Sequence, residues 1–298
     1  MSVPLPYRSQ PHTEVPTWRR WWPLAAQEFT SLFRSRWGVV LFALCLLPGL
    51  GRLVMLLILF GVVQFGPNLR NRIAGRGGAE LAAIDPMQAN FYIDPVLQTM
   101  PGLVFTLLLS TLVVARAIAR DRTTNALELY WTRGISPQAY LFAKWLGSFL
   151  LVGLTTVVVP LVLWLTAISL HEDWALLQDT AVPMLRALCG VAVATAVWTA
   201  VGVAISAAAP SPNAAMVAWA MLLVGSQALG QVLGVVLREP WLRSCVSLWD
   251  AGGVVARAIG DLPQRQAYVP GAAALLVTLL GTLGWCALRR MRLEEAIA

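Results

Sequence analysis

Six runs of mainly apolar residues, at roughly 38–65, 97–119, 141–168, 182–207, 214–237 and 267–288, divide this chain. Each exceeds the ~20 residues that an α-helix needs to cross the hydrocarbon core of a bilayer. Composition rules out hiding all six in a water-soluble core. Of 298 residues, 58% are hydrophobic and 12% charged, whereas a soluble domain carries about 25% charged residues. The expected fold is all-α: a polytopic membrane protein with six transmembrane helices over 38–288. An N-terminal segment, 1–37, and a tail, 289–298, flank it.

The formal charge of +7 comes from one Lys and scattered Arg. No basic stripe with interleaved aromatics is present, so nucleic acid is not an expected partner. Arginines at membrane ends explain the balance. Cys45, Cys189 and Cys286 fall inside apolar runs and Cys245 in a loop. Their spacing gives neither a zinc site nor a disulfide framework. The opening "MSVPLPYRSQPHTEVPTWRRWW" lacks the short apolar core and cleavage site of a signal peptide, so the first run is expected to stay as an anchor.

Ahead of that run, residues 22–37 form an amphipathic pattern. Trp22, Ala25, Ala26, Phe29, Leu32, Phe33 and Trp37 fall on one helical face; Gln27, Glu28, Ser31, Arg34 and Ser35 fall on the other. Tryptophans with flanking Arg suit a helix lying in the membrane interface. Arginine and lysine then set the orientation. Arg8, Arg19, Arg20, Arg34, Arg36, Arg116, Arg120, Arg122, Arg133, Lys144, Arg289, Arg290 and Arg292 gather on one side. That richer side is expected to be cytoplasmic, with both termini there and loops 66–96, 169–181 and 238–266 outside.

The densest punctuation lies between the second and third runs, in "ARDRTTNALELYWTRGISPQAYLFAKWLG". Asn125, followed three residues later by Glu128, reads as a capping box with Asn in place of Ser or Thr. Gly134 supplies a helix stop. Ser136 caps the next helix, with Pro137 at its first position. A short helix over about 125–133 is thus held between hard stops. Its face of Leu127, Tyr130 and Trp131 needs something to pack against, because isolated helices this short are marginal. The bilayer's own headgroups and a groove in a cytosolic partner are both open readings.

This loop resembles the signature loop of permease subunits of type-2 ATP-binding cassette (ABC) exporters. In that pattern an acidic/basic pair ends the second span, a short helix follows, and an aromatic and a lysine lead into the third. Asp121, Arg122, Asn125, Ala126, Leu127, Glu128, Leu129, Tyr130, Arg133, Ile135, Ser136, Tyr140 and Lys144 match it. Gly134 and Gln138 depart from it, where proline and arginine are common. The helix before the first span, Pro160 in the third and "LWDAGGVVARAIG" before the sixth fit the same family. The resemblance implies that residues 125–133 are the coupling helix, contacting the ATPase through Asp121, Arg122, Asn125, Leu127, Glu128, Tyr130, Trp131 and Arg133. It further implies two cytosolic ATPase subunits, which carry the ATP and Mg, a second permease chain (the same or a homologue), and a bacterial inner membrane.

Several chemistries lack their residues. No GxxxxGK[ST] occurs, so ATP is expected on another polypeptide and no cofactor on this one. No HExxH, GxSxG or paired intramembrane carboxylates appear, and catalysis by this chain is not expected. No Asp or Glu falls inside a predicted span, which argues against proton-coupled transport. Along the path, Arg52 is the one charge placed mid-span: it meets a polar substrate part, or snorkels from a kink at Pro48–Gly51. Gln227 and Gln231, beside the GxxxG of Gly230 and Gly234, and Thr106, Ser110 and Thr111 are further path candidates. Taken singly, each is better explained by ordinary helix packing. Asp250 reads as the cap of a short outer helix. A membrane scaffold that passes no substrate is the alternative to an exporter.

Overall fold

The computed structural model describes residues 17–60, 62, 88–97, 100–132, 135–171, 175–262 and 268–297, and every regular element among them is helical. Helix α1 (Thr17–Arg34) precedes α2 (Arg36–Leu59). Ser35 parts them: its backbone is extended and its Oγ accepts from Gly38 N, which makes it the N-cap of α2. Shorter helices follow: α3 (Ala89–Leu97), α4 (Met100–Val113), α5 (Ala117–Thr123) and α6 (Ala126–Thr132). Then come α7 (Pro137–Leu170), α8 (Ala175–Ala208) and α9 (Pro212–Val236). Two short helices, α10 (Leu242–Val246) and α11 (Leu248–Ile259), lead to α12 (Val269–Ile297).

Among the described residues, five helices are long and apolar enough to cross a membrane: α2, α7, α8, α9 and α12. They overlap five of the six apolar runs, with bounds that differ by several residues at some ends. The second run differs. Expected as one helix over 97–119, it is α4 and α5 with a turn at 114–116 between them. Val114 N and Ala115 N both reach the Ser110 carbonyl, at 2.8 and 3.1 Å, and the helix does not continue past them. A break in apolar surroundings frees backbone N–H groups, which is costly unless they find new acceptors. Ser206 on α8 provides one. Fully buried, its Oγ accepts from Ile118 N at 3.0 Å and Ala119 N at 3.1 Å.

Helix α7 is distorted for a different reason. Pro160 has no N–H, and its ring crowds the carbonyl one turn back. The turn just before it, Leu154–Val158, widens to π geometry. Thr155 and Thr156 donate to the Val152 carbonyl at 2.8 and 3.2 Å, and the Thr156 hydroxyl pairs with that of Thr195 on α8 at 2.9 Å. The irregular turn is therefore pinned to its neighbour.

Away from the α5–α6 turn, α11 lies flush against α8. Trp198 stacks on Trp249, with centroids 4.3 Å apart and planes 8° from parallel. Their indole N–H groups donate to the Leu248 and Leu97 carbonyls, both at 3.1 Å. Glycine permits the approach: a Cβ on Gly190 would strike the Ala256 backbone, and one on Gly252 would fall 2.5 Å from Trp198. The cap of α11 is Ser247, whose Oγ accepts from Asp250 N at 3.1 Å. Asp250, the expected cap, sits instead at the third helical position, the acidic partner in an S-x-x-D order.

Candidate functional site

Ser136 and Pro137 start α7 as the sequence predicts: Ser136 is extended and its Oγ accepts from Ala139 N at 3.3 Å. Two turns further on stands Lys144, the chain's one lysine, with no exposed surface. Its Nζ lies 2.7 Å from Asp121 Oδ2 and 2.8 Å from Glu28 Oε1. The Tyr140 hydroxyl donates to the same Asp121 oxygen at 2.9 Å. Arg120, one-third exposed, approaches Glu28 at 3.9 Å and Asp121 at 4.0 Å. Two carboxylates thus face two cations.

Burying such charges costs several kcal/mol per ion unless partners and hydrogen bonds compensate. Separating any member would leave the others unpaired. The cluster therefore binds three elements into one unit: α1 through Glu28, α5 through Asp121 and α7 through Lys144. Gly147 lets α1 close on α7, since a Cβ there would fall 2.6 Å from the Ala25 carbonyl oxygen.

Helix α6 caps this unit. Leu127 is buried, and the Tyr130 and Trp131 rings pack on Tyr140 with centroids 5.5 and 5.6 Å away. Tyr130 OH donates to Gln27 Oε1 at 3.4 Å. Burial, and then the negative Asp121, push the Tyr130 phenol above the usual tyrosine range, so it remains a donor. The Leu127, Tyr130 and Trp131 face, expected to meet headgroups or a partner, is turned to the protein's own aromatic cluster. Glu128, Leu129 and Thr132 point outward, with Leu129 half exposed.

Two details of the loop differ from expectation. Asn125 has φ 54°, whereas an N-cap needs an extended backbone. It acts as a left-handed stop after α5, a conformation that asparagine tolerates, and its N–H reaches the Arg122 carbonyl at 3.2 Å. The capping box with Glu128 is not formed. Arg122 reaches inward. Its guanidinium donates to the Ala209 and Ala207 carbonyls at 2.5 and 2.7 Å and to Glu294 Oε1 at 2.9 Å. A cation there satisfies the last carbonyls of α8 and complements its dipole. Arg133 and Gly134 lie outside the described residues.

The path candidates lie on three different helices, α2, α4 and α9. Arg52 stands with its guanidinium carbon 5.1 Å from the Phe91 ring centroid, a cation–π contact with α3. Thr106 and Ser110 are buried; Ser110 accepts from Trp219 Nε1 at 3.0 Å, joining α4 to α9. The Thr111 hydroxyl is buried without a hydrogen-bond partner. Gln227 Oε1 accepts from Ser247 Oγ, and Gln231 is half-buried. Gly230 and Gly234 seat α10 of the same chain: Cβ atoms there would lie 3.3 Å from Arg243 O and 3.1 Å from Arg243 Cγ.

Sequence reasoning missed Glu28, Tyr140 and Lys144 as one site. Glu28 was placed on the polar face of the first helix, yet Leu24, Ala25, Glu28 and Leu32 are its buried stripe. Trp22 and Phe33 of α1 stay about half exposed, and Trp37, in the first turn of α2, nearly three-quarters. A usable signal existed: the chain's one lysine falls inside an apolar run, where it needs a carboxylate. Arg52 is therefore not the lone charge within a helix; Lys144 is another, and more deeply buried.

A search of curated protein sequences finds no match. A family model described as "ABC-2 family transporter protein" matches residues 22–286, which include most of α1, the charged cluster and most of α12. Subunits of this kind are embedded in the membrane and work with an ABC ATPase. The chain belongs to the ABC-2 transporter family, as a multi-pass membrane permease subunit of an ABC transporter.

Proposed function

We propose that this subunit is the substrate-conducting half of an ATP-driven exporter and that α6 is its coupling helix. The observation that carries this reading is the mounting of α6. A short helix with an outward Glu128–Leu129–Thr132 face rests, through Tyr140 and Gln27, on a unit of α1, α5 and α7 joined by a buried ion cluster. A push on that face moves three elements together, because pulling one away would strand a buried charge. Asp121, Arg122, Asn125, Leu127, Tyr130 and Trp131 then support the coupling surface from behind, while Glu128, with Arg133 completing the motif, supplies contact.

In this reading two ATPase subunits bind ATP and Mg, and two permease chains, identical or homologous, pair around the path. Both termini share the ATPase side of a bacterial inner membrane. Arg52, Thr106, Ser110, Gln227 and Gln231 are the polar positions that could meet cargo. The exposed Val217, Met221 and Val224 ridge of α9 supports a protein or lipid neighbour along that helix.

The tagged chain, purified from its own membranes in mild detergent, is expected to carry ATPase activity. The double variant Glu128→Arg/Leu129→Asp should lose that activity while keeping its own fold. Wild-type preparations without an ATPase would sink the coupling assignment, and so would a double variant that retains it. Vesicles in which hydrolysis proceeds with no cargo movement would favour the scaffold reading.

A further inference from the structure

Between α7, α8 and α12 lies an apolar hollow of about 310 Å³, lined by Leu141, Phe142, Trp145, Val203, Ala204 and Gly284 among others. Small residues make the space: nothing stands within 4 Å of where a Gly284 Cβ would be. Trp145 forms a fixed wall, its indole donating to the Ala196 carbonyl at 3.0 Å and its ring stacking on Phe149. A second hollow shares Leu288 with the first and is lined by Trp285, Arg289, Arg292 and Leu293. At 1.5 Å per residue, Arg289 and Arg292 stand roughly 8 and 12 Å beyond Gly284, toward the end of α12.

The arginines of this turn are used unequally. Arg290 donates to the Ala208 carbonyl and faces Glu294 at 3.5 Å, so its charge is spent inside the fold. Arg289 and Arg292 are exposed and have no ion-pair partner among the described residues. Trp285, about two-thirds exposed, lies one turn below Arg289, where an interfacial tryptophan belongs.

We propose that this compound site holds an anionic phospholipid of the leaflet on the α6 side, its phosphate between Arg289 and Arg292 and an acyl chain in the α7–α8–α12 hollow. Charge complementarity selects the occupant. Two unpaired cations beside an apolar trough suit a negative headgroup over a hydrocarbon tail. A zwitterionic lipid would lose most of the attraction.

The test uses the purified full chain in nanodiscs of equimolar dioleoyl phosphatidylglycerol and dioleoyl phosphatidylcholine, with retained lipid counted by native mass spectrometry. Phosphatidylglycerol should be retained preferentially. Each arginine near an anionic lipid contributes roughly a five-fold preference, so Arg289→Gln/Arg292→Gln should reduce it by on the order of twenty-fold. The Arg289→Lys/Arg292→Lys pair should restore most of it. Gly284→Leu, which has open space to grow into, should lower retention of both lipids. Equal retention of the two lipids by the wild type, an unchanged preference in the Gln pair, no recovery in the Lys pair, or undiminished retention in Gly284→Leu would each overturn the proposal.

Discussion

The C-terminal end of α8 and its middle are joined to their neighbours by opposite means. Near Ala208 the joints are polar: Arg122 on the last carbonyls, Ser206 on the N–H groups of α5, and Lys144 between two carboxylates close by. Around Trp198, ten residues or ~15 Å along the helix, the joints are apolar and tight, with stacked indoles and glycines against backbone. An ion cluster is directional and fails abruptly when one partner leaves. A packed apolar face tolerates small sliding without a stranded charge. The first holds its elements in fixed register, and the second leaves room for helices to shift against each other.

Removing Lys144 tests the polar joint most severely. Lys144→Met leaves Glu28 and Asp121 facing each other in a buried site with only the partly exposed Arg120, 3.9 and 4.0 Å from them, and should cost about 3–5 kcal/mol. Thermal unfolding in detergent measures this. The triple variant Glu28→Gln/Asp121→Asn/Lys144→Met should be more stable than the single one, because the only charge left without a partner is that of Arg120, which is one-third exposed and reaches solvent. A single variant as stable as the wild type would mean that the cluster does not hold α1, α5 and α7 together.

At the apolar joint the expected loss is smaller. Gly190→Val forces side-chain atoms against the Ala256 backbone, and overpacking of this kind costs about 1–3 kcal/mol. Because α11 can shift along α8, part of the strain should relax. The same scan, with Trp198→Phe as a control that keeps a ring but drops the N–H to Leu248, separates stacking from contact. A loss matching that of Lys144→Met would erase the distinction between the two joints.

How much of each joint could be read in the sequence follows from the same difference. Apolar runs announce α2, α7, α8, α9 and α12 because length and hydropathy are local properties. The caps at Ser136 and Pro137 are local too. The turn at 114–116 was illegible because its acceptor, Ser206, lies almost ninety residues away. Glu28 was misplaced because a moment treats every charge as solvent-seeking, and only the distant Lys144 makes the inward position affordable. Leu127, Tyr130 and Trp131 shared a face as predicted, but the face's partner was Tyr140 in the same chain, which spacing alone does not identify. Arg122 carried a motif match and proved to tie α5 to α8 and α12.

The finest contrast lies in the backbone. Asn125 near the ion cluster, and Arg238 and Asp261 elsewhere, share φ 54°. For most L-residues this conformation costs roughly 1–2 kcal/mol, and asparagine and aspartate bear it best. Glycine escapes the steric cost but gives up about 0.5–1 kcal/mol in chain entropy. Arg238→Gly should therefore stabilise the protein by about 0.5–1 kcal/mol, whereas Asn125→Gly and Asp261→Gly should change little. Arg238 is exposed and no side-chain bond of its own would be lost, so the backbone effect is isolated. Asn125→Ala, which keeps the Cβ without the local hydrogen-bonding side chain, should cost about 1 kcal/mol. Unfolding midpoints of the four variants decide the matter. If Asn125→Gly gained as much as Arg238→Gly, the turn into α6 would be no better matched to its residue than the surface turn at 238, and the reading of Asn125 as a chosen left-handed stop would fall.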